Sequence, residues 1–183
     1  MTSILDPIRH ERLIANLDNF CETANIQRRF VEHRMSEFVA ADAPEVEWVT
    51  KFQFHRKDGD GGLLFVGDLG EPPVDIRMMA MTGAMLRNYI DARMVPVHTL
   101  LHSAEHGGAV DPTVMLIPNL FVTGAAGKTM TGWQAQILYD VLLTRLTQGK
   151  LTVAYVEDLD ALAHQYGTVF AAHLKTHYTR IGG

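Results

Sequence analysis

The stretch Gly61-Gly62-Leu63-Leu64-Phe65-Val66-Gly67-Asp68-Leu69-Gly70-Glu71-Pro72-Pro73-Val74-Asp75 decides how this chain is read. An apolar run of four residues feeds a glycine loop at Gly67 and Gly70, and a helical pattern begins near Ile76. Strand, glycine loop and helix in that order form the frame of a nucleotide phosphate loop. A working loop ends in Gly-Lys-Ser/Thr, which supplies backbone N–H groups, a lysine for the phosphates and a hydroxyl for magnesium. Here the loop runs Glu71-Pro72-Pro73-Val74-Asp75 instead. Two prolines lack N–H groups, two carboxylates repel phosphate, and there is no lysine.

Outward from this stretch, 183 residues suit a single domain with a sizeable core. A hydrophobic fraction of 47% and a charged fraction of 20% are those of a globular chain. The net charge of −5 excludes a global basic field that would recruit nucleic acid. Cys21 is the single cysteine, which excludes an internal disulfide framework and fits a reducing compartment. The first residues carry charges where a signal peptide needs an apolar core, and no apolar run reaches membrane-spanning length. The expectation is a soluble cytoplasmic protein without a membrane partner.

The periodicity predicts an amphipathic helix over 7–22, with Ser3 to Pro7 as its cap. Residues 45–55 fit either a helix end or a strand. Strands are expected at 63–66, 95–100, 114–122 and 151–156. Pro118 demands a strand end or an irregular position in the third of these. Helices are expected at about 76–93, 131–148, 158–166 and 168–178, with Gly149 and Gly167 as stops. This alternation predicts an α/β fold: a three-layer α/β/α sandwich around a mainly parallel sheet, preceded by an N-terminal helix. The expected division is a helical extension at 1–22 and an α/β domain at 23–183.

The ordered segments resemble the DnaC/IstB family of AAA+ ATPases, the helicase loaders and transposase helpers. Asn25-Ile26-Gln27-Arg28-Arg29-Phe30, with Phe38 beyond it, is similar to the family's opening motif. GGLLFVGDLG falls at its Walker A strand and loop, and VMLIPNLF at its Walker B strand. Thr131-Gly132-Trp133-Gln134 through Arg145 resembles the helix that follows. Leu151-Thr152-Val153 matches the strand that carries sensor I, and LDALAHQYGTVFAAHL is similar to the family's closing helices. The resemblance implies a P-loop AAA+ fold and a setting in replication, transposition, plasmid, phage or other mobile-element biology. It also implies a protein partner, either a loader-type ATPase or the replicative helicase.

The departures from the family fall on its catalytic positions. Pro118 and Asn119 stand where the Walker B carboxylates belong, and neither can act as a base. The sensor strand ends Tyr155-Val156-Glu157, without Asn or Thr to read a γ-phosphate. Ala172-His173-Leu174 replaces the stretch that carries the arginine finger, a group worth roughly 10³–10⁵ in rate in related phosphoryl transfer. The expectation is therefore a degenerate, non-catalytic ATPase that uses no cofactor.

Other constellations compete with that reading. Gly124 to Thr129 ends in Gly-Lys-Thr, so an active ATPase is the alternative. Lys128 would then hold phosphates, Thr129 magnesium, and Glu157 and Asp158 would supply the acids. His98, His102 and His106 recur every four residues and on one helix would form a zinc-capable stripe. A strand running into His98 would break that stripe, so polar loop histidines are favoured. Met78, Met79, Met81, Met85 and Met94 are expected to fill the core rather than form a binding face. Arg28, Arg29, Arg34, Arg77, Arg87 and Arg93 are candidates for touching a phosphate backbone. A DNA-binding accessory factor is accordingly the second alternative, although solvated faces and ion pairs are the favoured reading.

Overall fold

The computed structural model describes residues 3–108, 110–122 and 130–183. Their centre is a five-stranded, wholly parallel sheet in the order β2-β3-β4-β1-β5. The strands are β1 (Gly62–Val66), β2 (Ala92–Met94), β3 (Val114–Phe121), β4 (Leu151–Val156) and β5 (Tyr178–Gly182). Strands β1, β3 and β4 lie inside the sheet, which explains their near-continuous apolar runs: both faces are covered. Pro118 sits in the register shift between Ile117 and Phe121, the irregular position that its missing N–H requires.

One apolar layer is built by the segments before β1. Helices α1 (Glu11–Ala15), α2 (Leu17–Ala24), α3 (Arg29–Glu32), α4 (Pro44–Thr50) and α5 (Phe52–Asp58) lead to the sheet, with a 3-10 turn at Met35–Glu37. The helix expected over 7–22 is broken at Asn16, the cap shared by α1 and α2. Residues 45–55 are helical throughout apart from Lys51, which separates α4 from α5. Helix α6 (Val74–Arg87) packs its methionines inward, and Met78, Met81 and Met85 are fully buried. Leu13, Leu17 and Cys21 share this cluster with α6, Leu63 and Phe65. Gly83 is what allows α3 and α6 to touch, since a Cβ there would lie 2.0 Å from the Phe30 carbonyl oxygen.

The opposite layer holds α7 (Val97–Glu105), α8 (Gly132–Thr147), α9 (Leu159–Tyr166) and α10 (Thr168–His177). Thr131 and Gln134 start α8 as a reciprocal capping box. Gly149, at φ 65°, follows its end. Arg145 of α8 is buried and donates to Thr152 Oγ1, the Asp111 carboxylate and the carbonyls of Pro112 and Leu151.

One expected strand is overturned. Residues 95–100 do not form a strand: β2 ends at Met94, and Pro96 is the N-cap of α7. Proline offers no N–H to a ladder but tolerates a helix start, and the Pro96 carbonyl accepts the first turn's N–H groups from Thr99 and Leu100. β-branched Val95 and Val97 masked that boundary.

Helices α2 and α6 end alike. Asn25 (φ 56°) and Tyr89 (φ 57°) both adopt the left-handed conformation. The next N–H, of Ile26 or Ile90, returns to the carbonyl of Cys21 or Met85. Asparagine tolerates that backbone, whereas a bulky residue there costs about 1 kcal/mol.

Candidate functional site

The loop from Gly67 to Pro73 leaves β1 at the carboxyl end of the sheet, the side on which open parallel sheets place their ligands. Both of its glycine N–H groups and three of its carbonyls are bonded within the protein. The Gly67 N–H donates to the Val156 carbonyl at 3.0 Å, and the Gly70 N–H donates to Asp68 Oδ1 at 2.9 Å. Pro72 and Pro73 have no N–H, and the Glu71–Pro72 peptide is cis. Helix α6 begins after Pro73, and Asp75 places a carboxylate in its first turn. That carboxylate meets the positive end of the helix dipole.

Three loop carbonyls converge on one cation. Arg77 donates from Nε to Pro72 O at 2.8 Å and from Nη2 to Leu69 O and Glu71 O, each at 3.2 Å. Its Nη1 donates to Glu45 Oε1 of α4 at 2.6 Å. Glu45 is fully buried, so the pair closes the loop from beneath. Sequence reasoning placed Arg77 among possible phosphate-backbone contacts and missed Glu45. A tie across 32 residues leaves no local signal.

The neighbouring strand ends carry the other expected positions. Asn119 Oδ1 accepts the Val97 N–H at 3.1 Å and so caps α7. Pro118 is half-buried at the strand irregularity. Asp158 caps α9, its Oδ1 accepting from Asp160 N at 2.8 Å and Ala161 N at 3.0 Å. Glu157 is half-buried at the end of β4, and its N–H donates to the Phe121 carbonyl. Burial first, then the charges of Glu157 and Asp68, hold the Tyr155 hydroxyl above its usual range. The strand end is thus an acidic neighbourhood shared by β1 and β4.

Lys128 and Thr129, with the rest of Gly124–Thr129, lie outside the described residues. His98 and His102 share α7, and His106 is its C-cap, so the stripe is not broken by a strand as expected. The rings of His102 and His106 lie 4.2 Å apart, and His106 Nδ1 meets the His102 carbonyl oxygen at 2.8 Å. Among the described residues, no group of three ligand-type side chains is placed to hold a metal.

The candidate arginines are largely occupied. Arg87 Nη1 meets the carbonyls of Phe30, Val31 and His33, and burial pushes its pKa down to about 10. Arg93 pairs with Asp91, Arg28 with Glu32 and Asp18, and Arg29 lies over the Phe30 ring. Arg34 engages Glu37 through its backbone N–H.

Solved structures share this architecture. The crystal structure of DnaI aligns with a TM-score of 0.58 at 14% identity, covering 85% of this chain and 93% of that one. What is shared is the fold, a parallel five-stranded sheet with helices. AMPPCP-bound DnaA from Aquifex aeolicus gives 0.57 at 7% identity, covering 81% of this chain and 49% of that one. A protein described as a primosome component from Streptococcus pyogenes serotype M3 gives 0.55 at 10% identity, covering 90% and 95%. No family model matches the sequence, and no curated relative matches it. Among the described residues, no helix is long and apolar enough to cross a membrane.

The chemistry open to the loop follows from its polar atoms. Cradling an anion needs N–H groups turned towards it. Here both glycine N–H groups are bonded internally, and the converging atoms are carbonyl oxygens gathered on a guanidinium.

Proposed function

We propose that this chain is a non-catalytic AAA-like interaction or regulatory protein that acts through a protein partner. The observation that carries the proposal is the closed loop: Arg77 gathers the carbonyls of Leu69, Glu71 and Pro72 and is itself anchored on buried Glu45. A phosphate chain entering this loop would find Glu71 and Asp75 and no loop lysine. Asn119 and Asp158 serve as helix caps, which gives both a structural reason to be present.

A setting in DNA replication is supported by the fold shared with DnaI, DnaA and the primosome component, and by the resemblance of the ordered segments to helicase loaders. Family AAA+ subunits work side by side, each site completed by a neighbour. A subunit keeping the shape without the catalytic groups would cap such an assembly and halt its turnover. The proposed partner is therefore a loader-type ATPase or the replicative helicase. The net charge of −5 suits a basic partner face and makes the association salt-sensitive.

Two measurements test this reading. Calorimetry with magnesium and ATP should show no magnesium-dependent binding at the loop at sub-millimolar concentration. Titration into a loader and helicase mixture should lower ATP turnover or unwinding in proportion to the protein added. Micromolar ATP affinity located at Gly67–Asp75 overturns the first part; no co-elution and no change in either activity at excess overturns the second. The alternative of an active ATPase rests on the Gly127-Lys128-Thr129 tripeptide between β3 and α8.

A further inference from the structure

A second cleft lies far along the chain from the phosphate loop, between α2 and the junction of α6 with β2, with a volume of about 340 Å³. Its walls carry two aromatic rings, Phe20 and Tyr89, and two guanidinium-bearing residues, Arg12 and Arg93. Asn19 adds an amide and Thr23 a hydroxyl. Arg93 is neutralised by Asp91 through Nε at 2.9 Å and Nη2 at 3.1 Å. The Arg12 guanidinium has no ion-pair or hydrogen-bond partner among the described residues. One unspent positive charge therefore borders an aromatic cleft.

Tyr89 is the residue that local structure explains least. It occupies the left-handed position that Asn25 fills in the same helix-ending motif, where a tyrosine is disfavoured. Its hydroxyl reaches the Arg9 carbonyl at 2.8 Å, its ring lies 6.4 Å from the His10 ring at an interplanar angle of 25°, and the residue as a whole is 51% exposed. A disfavoured backbone holding a half-exposed aromatic residue in a cleft that an unpaired guanidinium also lines is the kind of arrangement kept for a ligand. The volume lies within the range of small-molecule sites and accommodates one planar ring system with a short anionic arm.

We infer that this cleft binds a planar heteroaromatic phosphate monoester of the size of a nucleoside monophosphate. The ring stacks against Tyr89 and Phe20, the anion meets Arg12, and Asn19 and Thr23 read the polar edge of the ring or sugar. Magnesium has no part in this site.

Adenosine monophosphate is the probe, titrated into the full chain without magnesium and followed by calorimetry and NMR shift changes. Binding is expected at micromolar to sub-millimolar concentration, with shifts centred on residues around Tyr89. Adenosine, lacking the anion, should bind about tenfold more weakly, and Arg12→Gln should lose about as much. Ribose phosphate, lacking the ring, should not bind. Tyr89→Asn keeps the helix ending that Asn25 demonstrates, so it should stay folded by circular dichroism while losing about tenfold in affinity or more. No binding of adenosine monophosphate to the folded wild type at millimolar concentration overturns the inference. So does wild-type affinity in both variants. Shift changes centred on Gly67–Asp75, with affinity kept in Arg12→Gln, place the nucleotide at the phosphate loop, which overturns the cleft assignment and the reading of that loop together.

Discussion

Arg77 and Glu45 meet at 2.6 Å beneath the loop that follows β1, with Glu45 fully buried and its second oxygen, Oε2, unpaired among the described residues. The arginine thus serves two masters: a carboxylate on α4 and three carbonyls of the loop. Removing it would strand a buried charge and leave the loop without its centre.

Arg77→Ala should therefore destabilise the fold by about 3–5 kcal/mol, the usual result of breaking a buried pair from one side. Arg77→Lys should fall between, since one ammonium cannot reproduce the fork. Urea unfolding measures both. A loss below about 1 kcal/mol for Arg77→Ala would show that the tie is not made in solution.

Lys128 separates the two readings of nucleotide chemistry. If it is a surface residue, Lys128→Ala should change stability by no more than about 0.5 kcal/mol and leave no hydrolysis to lose. ATP turnover by the wild type that vanishes in this variant would establish the Gly124–Thr129 loop as the working site.

Gly83→Ala places a methyl 2.0 Å from the Phe30 carbonyl oxygen, which neither backbone can absorb. The expected loss is about 3 kcal/mol, read from the urea midpoint. Gly132→Ala is the matching control, because a Cβ there meets nothing within 4 Å. It should leave stability unchanged or raise it by about 0.5 kcal/mol.

His173 gives the fold an acid-sensitive point. Burial first, and His177 second, hold its imidazole below the usual 6.5. The unfolded chain then takes up a proton before the folded one does, so this contribution is full above pH 6.5 and lost as the pH falls below it. Tyr139 and Tyr178 pack against the ring, and Nε2 has no partner among the described residues. Melting temperatures from about pH 7.5 to about pH 5 should fall more steeply in the wild type than in His173→Phe. Parallel curves would remove His173 from the account.

Much of the fold was legible because buried parallel strands announce themselves as apolar runs. Leu63 to Val66, Val114 to Phe121 and Leu151 to Val156 needed no tertiary information. Strand β5 was not legible. Tyr178-Thr179-Arg180-Ile181-Gly182 is short and half polar, and its extended form depends on pairing with β1. Residues 95–100 misled because β-branched side chains also tolerate the first turn of a helix once Pro96 and Asn119 have set it. At the candidate site, the loop's position could be read from its glycines. The commitments of its N–H and carbonyl groups could not, because Val156, Arg77 and Glu45 are brought there by packing.

Helix α6 holds a charged anchor at each end. Arg77 grips the loop near its start, and Arg87 grips the last carbonyls of α3 at its finish. Fourteen residues make this a rod of about 21 Å. The loop and the segment around Phe30 are therefore not two independent surfaces but the two ends of one lever. A partner that prises α3 away from Gly83 pulls on the same rigid body that keeps the loop shut.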